Sequence, residues 1–530
     1  MKRIRVIIVI FLSVMLLIGI GAKGCLGLND GTVSDSSQPL PSAVSNLTAT
    51  VNNTIITLSW QDNSNNEDGF KIERSTDGVN FSQIAVLGSD ITTYSDEGLT
   101  LATTYYYRVR AYNENGYSEY SNGISATITS SNYWTKQLGT ASADEGYAVA
   151  VDTAGNIYVT GPTFGGLDGN INAGDSDLFL VKYDSAGVKQ WTRQSGTASD
   201  DCVFGIAVDT AGNIYVTGYT FGELDGNTSA GLNDFFLIKY DSSGVKQWTR
   251  QSGTALNDSA RSVAVDTVGN IYVAGRTDGG LDGNPYAGGG DFFLVKYDSS
   301  GVKQWTRQSE TASYEEALAV AVDTAGNIYV TGYTSGGNAN AGETDLFIVK
   351  YDSFGVKQWT SQLGTASNDR AQSVAVDTAG NIYVTGYTEG GLDGNTNAGY
   401  SDSIVVKYNA QGVKQWTGQL GTSDYESATG VAADASGNIY VTGYTNGGLD
   451  GNTNPGEVGD FFLVKYDSSG VKQWTRQSGT ASDDVAFGVA VDTAGNIYVT
   501  GYTKGGLDGN TNAGSADLFM VKYNSDGVKQ

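Results

Sequence analysis

The segments Val203-Phe204-Gly205-Ile206-Ala207-Val208-Asp209, Asn213-Ile214-Tyr215-Val216-Thr217-Gly218-Tyr219-Thr220, Asp234-Phe235-Phe236-Leu237-Ile238-Lys239-Tyr240 and Val245-Lys246-Gln247-Trp248-Thr249-Arg250-Gln251 follow one another in a single run. Each is rich in β-branched and aromatic residues, which favour strands. Tight-turn signals separate the first from the second (Asp209-Thr210-Ala211-Gly212) and the third from the fourth (Asp241-Ser242-Ser243-Gly244). The run therefore reads as four antiparallel strands.

The same unit recurs down the chain. Its fourth-strand tryptophan returns at Trp134, Trp191, Trp248, Trp305, Trp359, Trp416 and Trp474, with gaps of 57, 57, 57, 54, 57 and 58 residues. A period of this length marks a repeat architecture. Four antiparallel strands per repeat make a propeller blade. Seven sets of the first three strands begin near Val149, Ile206, Val263, Val320, Val374, Val431 and Val489. The last lacks a fourth strand, because the chain ends at Val528-Lys529-Gln530 where other copies continue into Trp. Tyr133-Trp134-Thr135-Lys136-Gln137 precedes the first set and is expected to supply the missing strand. The expected fold over residues 131–530 is a seven-bladed β-propeller closed by an N-terminal outer strand, which leaves no open edges. A truncated, longer array is the alternative.

The motif Gly488-Val489-Ala490-Val491-Asp492 followed by Gly495-Asn496-Ile497-Tyr498-Val499-Thr500-Gly501, and its six counterparts, resemble the bacterial SBBP β-propeller repeats. That resemblance implies a fold and brings no established reaction. Residues 41–129 differ in composition. Trp60 on an early strand, Leu99-x-Leu101-x-Thr103-x-Tyr105 leading into Tyr107-Arg108-Val109-Arg110-Ala111, and the turn Asn115-Gly116-Tyr117-Ser118 resemble a fibronectin type III domain. The resemblance places Tyr105 at the tyrosine corner and implies a spacer or a weak binding module. The fold class is thus all-β throughout.

Formal charge is −26, and removal of Lys2, Arg3, Arg5 and Lys23 with residues 1–24 would bring it to about −30. Such a surface repels phosphate backbones, so nucleic acid is not an expected partner. The chain has no histidine and only two cysteines, Cys25 and Cys202. His-based nucleophile systems, His-ligated metals and Cys-rich metal sites are thereby excluded. Met1-Lys2-Arg3-Ile4-Arg5, an apolar run from Val6 to Ile20, and Gly24-Cys25 read as a signal peptide over residues 1–24, with lipidation of Cys25 as in bacterial lipoproteins. The alternative is an uncleaved anchor. Residues 25–40 read as a flexible tether. The expected location is the cell surface or outer membrane, with the membrane touched only through the lipid; without lipidation the protein is secreted.

Two loop sets are candidate sites. The loops between the fourth strand of one unit and the first of the next carry Asp144, Glu145, Asp200, Asp201, Asp258, Glu315, Glu316, Asp369, Asp424, Glu426, Asp483 and Asp484, expected to form an acidic ligand-binding face at the channel mouth. The loops between second and third strands read Leu-Asp-Gly-Asn-x-Asn-x-Gly-x-x-Asp. Alternating oxygen side chains there suggest a calcium site: Asp168, Asn170, Asn172 and Asp177; Asp393, Asn395, Asn397 and Asp402; Asp508, Asn510, Asn512 and Asp517. The competing reading is an Asx-rich turn bonded to its own backbone. The fourth unit lacks Leu-Asp-Gly and keeps Asn338, Asn340 and Asp345.

These features point to a non-enzymatic binding or adhesion protein whose ligand is an extracellular protein or glycan, with Ca²⁺ as its one candidate cofactor. A carboxylate-based glycan hydrolase or lyase and a calcium-stabilised structural surface protein are the alternatives. The tryptophans, present in every unit, are expected to pack between units or on the outer strand rather than to bind.

Overall fold

The computed structural model describes residues 38–52, 55–97, 99–100, 103–128, 134–336, 342–456 and 458–530. The signal segment, Cys25, the tether up to residue 37, Leu101, Tyr133, Asn338 and Asn340 lie outside the described residues. The chain divides into two compact units, Met1–Ile128 and Thr129–Gln530. Among the described residues there is no α-helix; regular structure is strands and three-residue 3₁₀ turns.

The first unit is a sandwich of two antiparallel sheets. One contains Ser45–Asn52, Ile55–Gln61 and Thr93–Asp96; the other contains Gly69–Ser75, Ser82–Gly88, Thr104–Asn113, Gly116–Tyr117 and Ile124–Thr127. Strand Thr104–Asn113 alternates half-buried and buried residues along its length, the signature of a sheet with one covered face. Trp60 packs edge-on to Phe70 with ring centroids 5.7 Å apart in the core. The Thr100 N–H donates to the Tyr105 hydroxyl oxygen at 3.0 Å, which fixes the corner expected for Tyr105.

The second unit holds seven four-stranded antiparallel sheets. Repeat two is representative, with Asp201–Val208, Ile214–Thr220, Asp234–Tyr240 and Lys246–Ser252 in spatial order. The second and third strands are buried on both faces because each sheet packs between neighbours. The seventh sheet takes its fourth strand from Lys136–Leu138, which pairs antiparallel with Leu518–Met520. The N-terminal strand therefore completes the last sheet, as the Val528-Lys529-Gln530 end led one to expect.

The recurrent residues hold the framework. Asp152 accepts backbone N–H bonds from Ala154 and Asn156 and a bond from the Tyr158 hydroxyl, and its six counterparts do the same. Each tryptophan lies over the glycine turn of the following repeat. A Cβ on Gly244 would stand 2.9 Å from Trp191, and one on Gly301 2.9 Å from Trp248. Arg193 completes this clasp: its Nε donates to Gly244 O at 2.8 Å while its guanidinium lies 5.0 Å from the Trp191 ring centroid. Trp134, beside the borrowed strand, clasps Gly187 of repeat one in the same way. The tryptophans thus pack between repeats.

Candidate functional site

The acidic loops are built differently from the sequence expectation. At one equivalent position in every repeat the acid is buried: Asp144, Asp201, Asp258, Asp369, Glu426 and Asp484 are 0% exposed and Glu315 4%. Each turns back on the threonine four residues earlier. Asp144 accepts the Thr140 N–H at 2.6 Å and its hydroxyl at 2.9 Å, and Asp201 and Asp484 repeat the pattern with Thr197 and Thr480. Burial pushes the carboxyls of Asp144, Asp201, Asp258, Glu315, Asp369 and Asp484 above their ordinary values, against the hydrogen bonds they accept. These seven acids are latches for the loop, not parts of an accessible acidic face, and that expectation is corrected.

The half-exposed members of the predicted set are Glu145, Asp200, Asp424 and Asp483. Asp200 accepts a bond from the Ser176 hydroxyl at 3.0 Å, and Asp483 pairs with Lys504 at 2.8 Å, which holds its carboxyl below the usual range. Glu316 is also buried, 5% exposed, but in an ionic cluster. Arg261 Nε donates to it at 2.7 Å, and the Tyr314 and Tyr333 hydroxyls at 2.8 and 2.9 Å. Burial alone would raise its carboxyl; Arg261 and the two tyrosines outweigh that and hold it low.

The repeats differ most in side-chain type at the positions one and three residues past the latch. The second of these carries Tyr147, Phe204, Arg261, Leu318, Gln372, Thr429 and Phe487, all half-buried. Tyr147 stacks on Phe204 (5.6 Å, 10°) and meets Phe487 edge-on at 4.9 Å. Tyr219 and Tyr502 extend this aromatic band on either side. The Arg261 guanidinium lies 4.5 Å from the Phe204 ring centroid and joins the band to the Glu316 cluster. Aligning the repeats and asking where they disagree would have singled out these aromatics; searching for acids did not.

The Leu-Asp-Gly loops form 3₁₀ turns. Asp168 and Asp393, with left-handed φ of 54° and 56°, give their carboxylates to Lys189 and Thr192 and to Lys414 and Thr417. Asp508 accepts Lys529 Nζ at 2.9 Å and the Thr135 hydroxyl at 2.5 Å. Asn170, Asn395 and Asn510 donate to the carbonyls of Leu167, Leu392 and Leu507. Asn172, Asn397 and Asn512 donate to Gly174, Gly399 and Gly514. Asp177, Asp402 and Asp517 accept backbone and glutamine N–H bonds. The loop geometry is that of Asx-rich turns with a lysine on the first aspartate. Elsewhere, Asp62, Glu67 and Asp90 of the sandwich bring carboxylate oxygens within 4.8 Å of one another.

The architecture defines a protein of tandem four-stranded propeller-type repeats that follow a β-sandwich in the chain. Family comparison makes this specific: the chain carries seven SBBP β-propeller repeats, at residues 134–167, 190–224, 247–282, 304–338, 358–393, 415–450 and 473–508, and a fibronectin type III domain at 42–127. Among curated proteins it is similar to an uncharacterised WD repeat-containing protein of Acanthamoeba polyphaga mimivirus, at 24% identity over 69% of this chain and 36% of that one. It is also similar to the regulatory protein FlaEY of Caulobacter vibrioides, at 28% identity over 63% of this chain and 38% of that one. The chain thus spans little more than a third of the length of these relatives. Among solved structures it resembles the sixth fibronectin type III domain of human fibronectin type III domain containing protein 3, at 22% identity and a TM-score of 0.16, covering 18% of this chain and 92% of that one.

Proposed function

We propose that the chain is an exported, non-catalytic binding protein, anchored through Cys25, whose seven sheets close into a ring. Closure is supported by the borrowed strand Lys136–Leu138 and by the clasp of Trp134 on Gly187. It is also supported by the 3.1 Å bond from the Gly146 N–H to Gly501 O, which ties repeat one to repeat seven. The ligand, an extracellular protein or glycan, is held where the repeats disagree. The observation that carries this reading is the half-buried band of Tyr147, Phe204 and Phe487 set beside Arg261 and Glu316. Aromatic faces with a polar edge suit the apolar face of a sugar or a side chain of a protein partner. At the Leu-Asp-Gly loops, lysine ammonium groups pair with the first aspartate of each set, which argues against calcium at Asp168, Asp393 and Asp508.

The test is a glycan and protein array probed with the full chain and with a Tyr147→Ala/Phe487→Ala variant. Capture of a ligand by the wild type and its loss in the variant supports the reading. Retention by the variant removes the aromatic band from the site, and turnover of the captured ligand makes the protein an enzyme.

A further inference from the structure

In six repeats the Leu-Asp-Gly turn plugs the gap between its own sheet and the preceding one. Leu224 is fully buried among Leu178 of the preceding repeat and Phe236, Ile238 and Tyr240 of its own. Its N–H donates to Gln251 Oε1 at 2.9 Å. The next residue, Asp225, accepts Lys246 Nζ at 2.8 Å and the Thr249 hydroxyl at 2.5 Å. The plug is thus recognised at three points: an aliphatic side chain, a peptide N–H and a carboxylate.

Repeat four has lost the plug and kept the socket. Between Thr334 and Asp345 the sequence contains no leucine and no aspartate. A cavity of about 780 Å³ lies at this joint. Its apolar wall includes Phe292, Phe347, Val349 and Tyr351, which occupy the places of Leu178, Phe236, Ile238 and Tyr240. Its polar wall includes Lys357, Thr360 and Gln362, counterparts of Lys246, Thr249 and Gln251. Phe292 is 7% exposed and Phe347 4%, whereas the matching Phe235 and Phe236 are 1% and 0%. Gln362 still donates to Gly336 O at 3.0 Å, but among the described residues no donor reaches its Oε1 and no carboxylate reaches Lys357. Glu310 also lines the cavity and stands where the other repeats have a glycine such as Gly196 or Gly253. The preceding strand ends one residue early, at Gln308.

We propose that this cavity binds a peptide segment of a partner protein in which a leucine-sized aliphatic residue is followed by aspartate, seated as the missing turn would be. The aliphatic side chain enters between Phe292 and Phe347, its N–H meets Gln362 Oε1, and the aspartate is taken by Lys357 and Thr360. A second copy of this chain does not offer such a segment. Its six Leu-Asp-Gly leucines are each buried in their own sockets, at 1% exposure or less. Glu310 and Glu315 also line the cavity and disfavour a second ligand carboxylate. The site is separate from the aromatic band and does not depend on it.

A free tetrapeptide loses translational and rotational freedom that the tethered turn has already given up, so its affinity falls near the millimolar range, about 1 mM. Titration of the full chain with acetyl-Leu-Asp-Gly-Asn-amide, followed by ligand-observed NMR, should give saturable binding. Replacing the peptide leucine by alanine, or its aspartate by asparagine, should weaken it about tenfold or more. Lys357→Met, at an exposed position, should weaken the aspartate peptide likewise and leave the asparagine peptide unchanged. Inserting Leu-Asp-Gly after Gly337 should abolish binding and raise the melting temperature. Tyr147→Ala/Phe487→Ala should leave peptide binding intact, so loss of the array ligand and loss of the peptide report on different sites. The proposal is overturned if the peptide does not saturate, if the alanine peptide binds equally well, or if Lys357→Met is without effect.

Discussion

Replacing Gly244 by alanine isolates the energy of a single clasp between repeats. Gly244 has φ +79°, and a Cβ there would meet the Trp191 ring atoms at 2.9 to 3.0 Å. The left-handed backbone costs an alanine about 1–2 kcal/mol. Forcing a methyl group against a packed indole adds about 1–3 kcal/mol. Gly226 is the control: its φ is +76°, and a Cβ there meets nothing within 4 Å. Gly226→Ala therefore carries the backbone term alone, about 1–2 kcal/mol, and Gly244→Ala about 2–5 kcal/mol. Urea denaturation followed by tryptophan fluorescence reads both as shifts in midpoint at constant slope. A Trp191→Leu background should shrink the Gly244→Ala loss toward that of Gly226→Ala, because the smaller side chain gives room. Equal losses in the two single variants would refute the clasp as an energetic unit, and so would an unchanged Gly244→Ala loss in the Trp191→Leu background.

Two further predictions concern protons and calcium. Burial, reinforced by nearby Asp484 and opposed by the bond from Gln477, pushes Asp460 up to about 6. The folded value lies above the unfolded one, so its contribution to stability is fully present below about pH 3.8 and is lost as pH rises through 6. Asp460→Asn should remove up to ~3 kcal/mol of that pH dependence, read as the wild-type-minus-variant difference in melting temperature between pH 4 and pH 7; a constant difference would refute the assignment. With lysines on Asp168, Asp393 and Asp508, neither millimolar Ca²⁺ nor chelator should move the melting of the repeat array. A melting temperature that climbs with Ca²⁺ concentration would support the calcium reading instead.

The period of Trp134 to Trp474 and the hairpin turns made the strands, their order and the borrowed strand readable in the sequence, because those properties are local and repeat. The acidic rim was misread because exposure is not local. Asp144 and its counterparts sit four residues after a threonine, and only the folded loop shows that the acid turns inward to meet it. The pairing of Asp168 with Lys189 was also hidden. The two are 21 residues apart, on a loop and a strand that meet only when the hairpin between them closes. The cavity had a visible trace, the shortened 54-residue spacing before Trp359, whose meaning depends on what Leu224 fills in a sibling repeat.

The clasp that joins neighbouring repeats grips a glycine turn and its carbonyls, not a variable side chain. The same tryptophan–glycine contact therefore recurs at all seven joints, including the one beside the cavity. Around that constant joint, Tyr147, Phe204, Arg261 and their counterparts change from repeat to repeat. Variety in this array is thus confined to columns of side chains set on a uniform chassis.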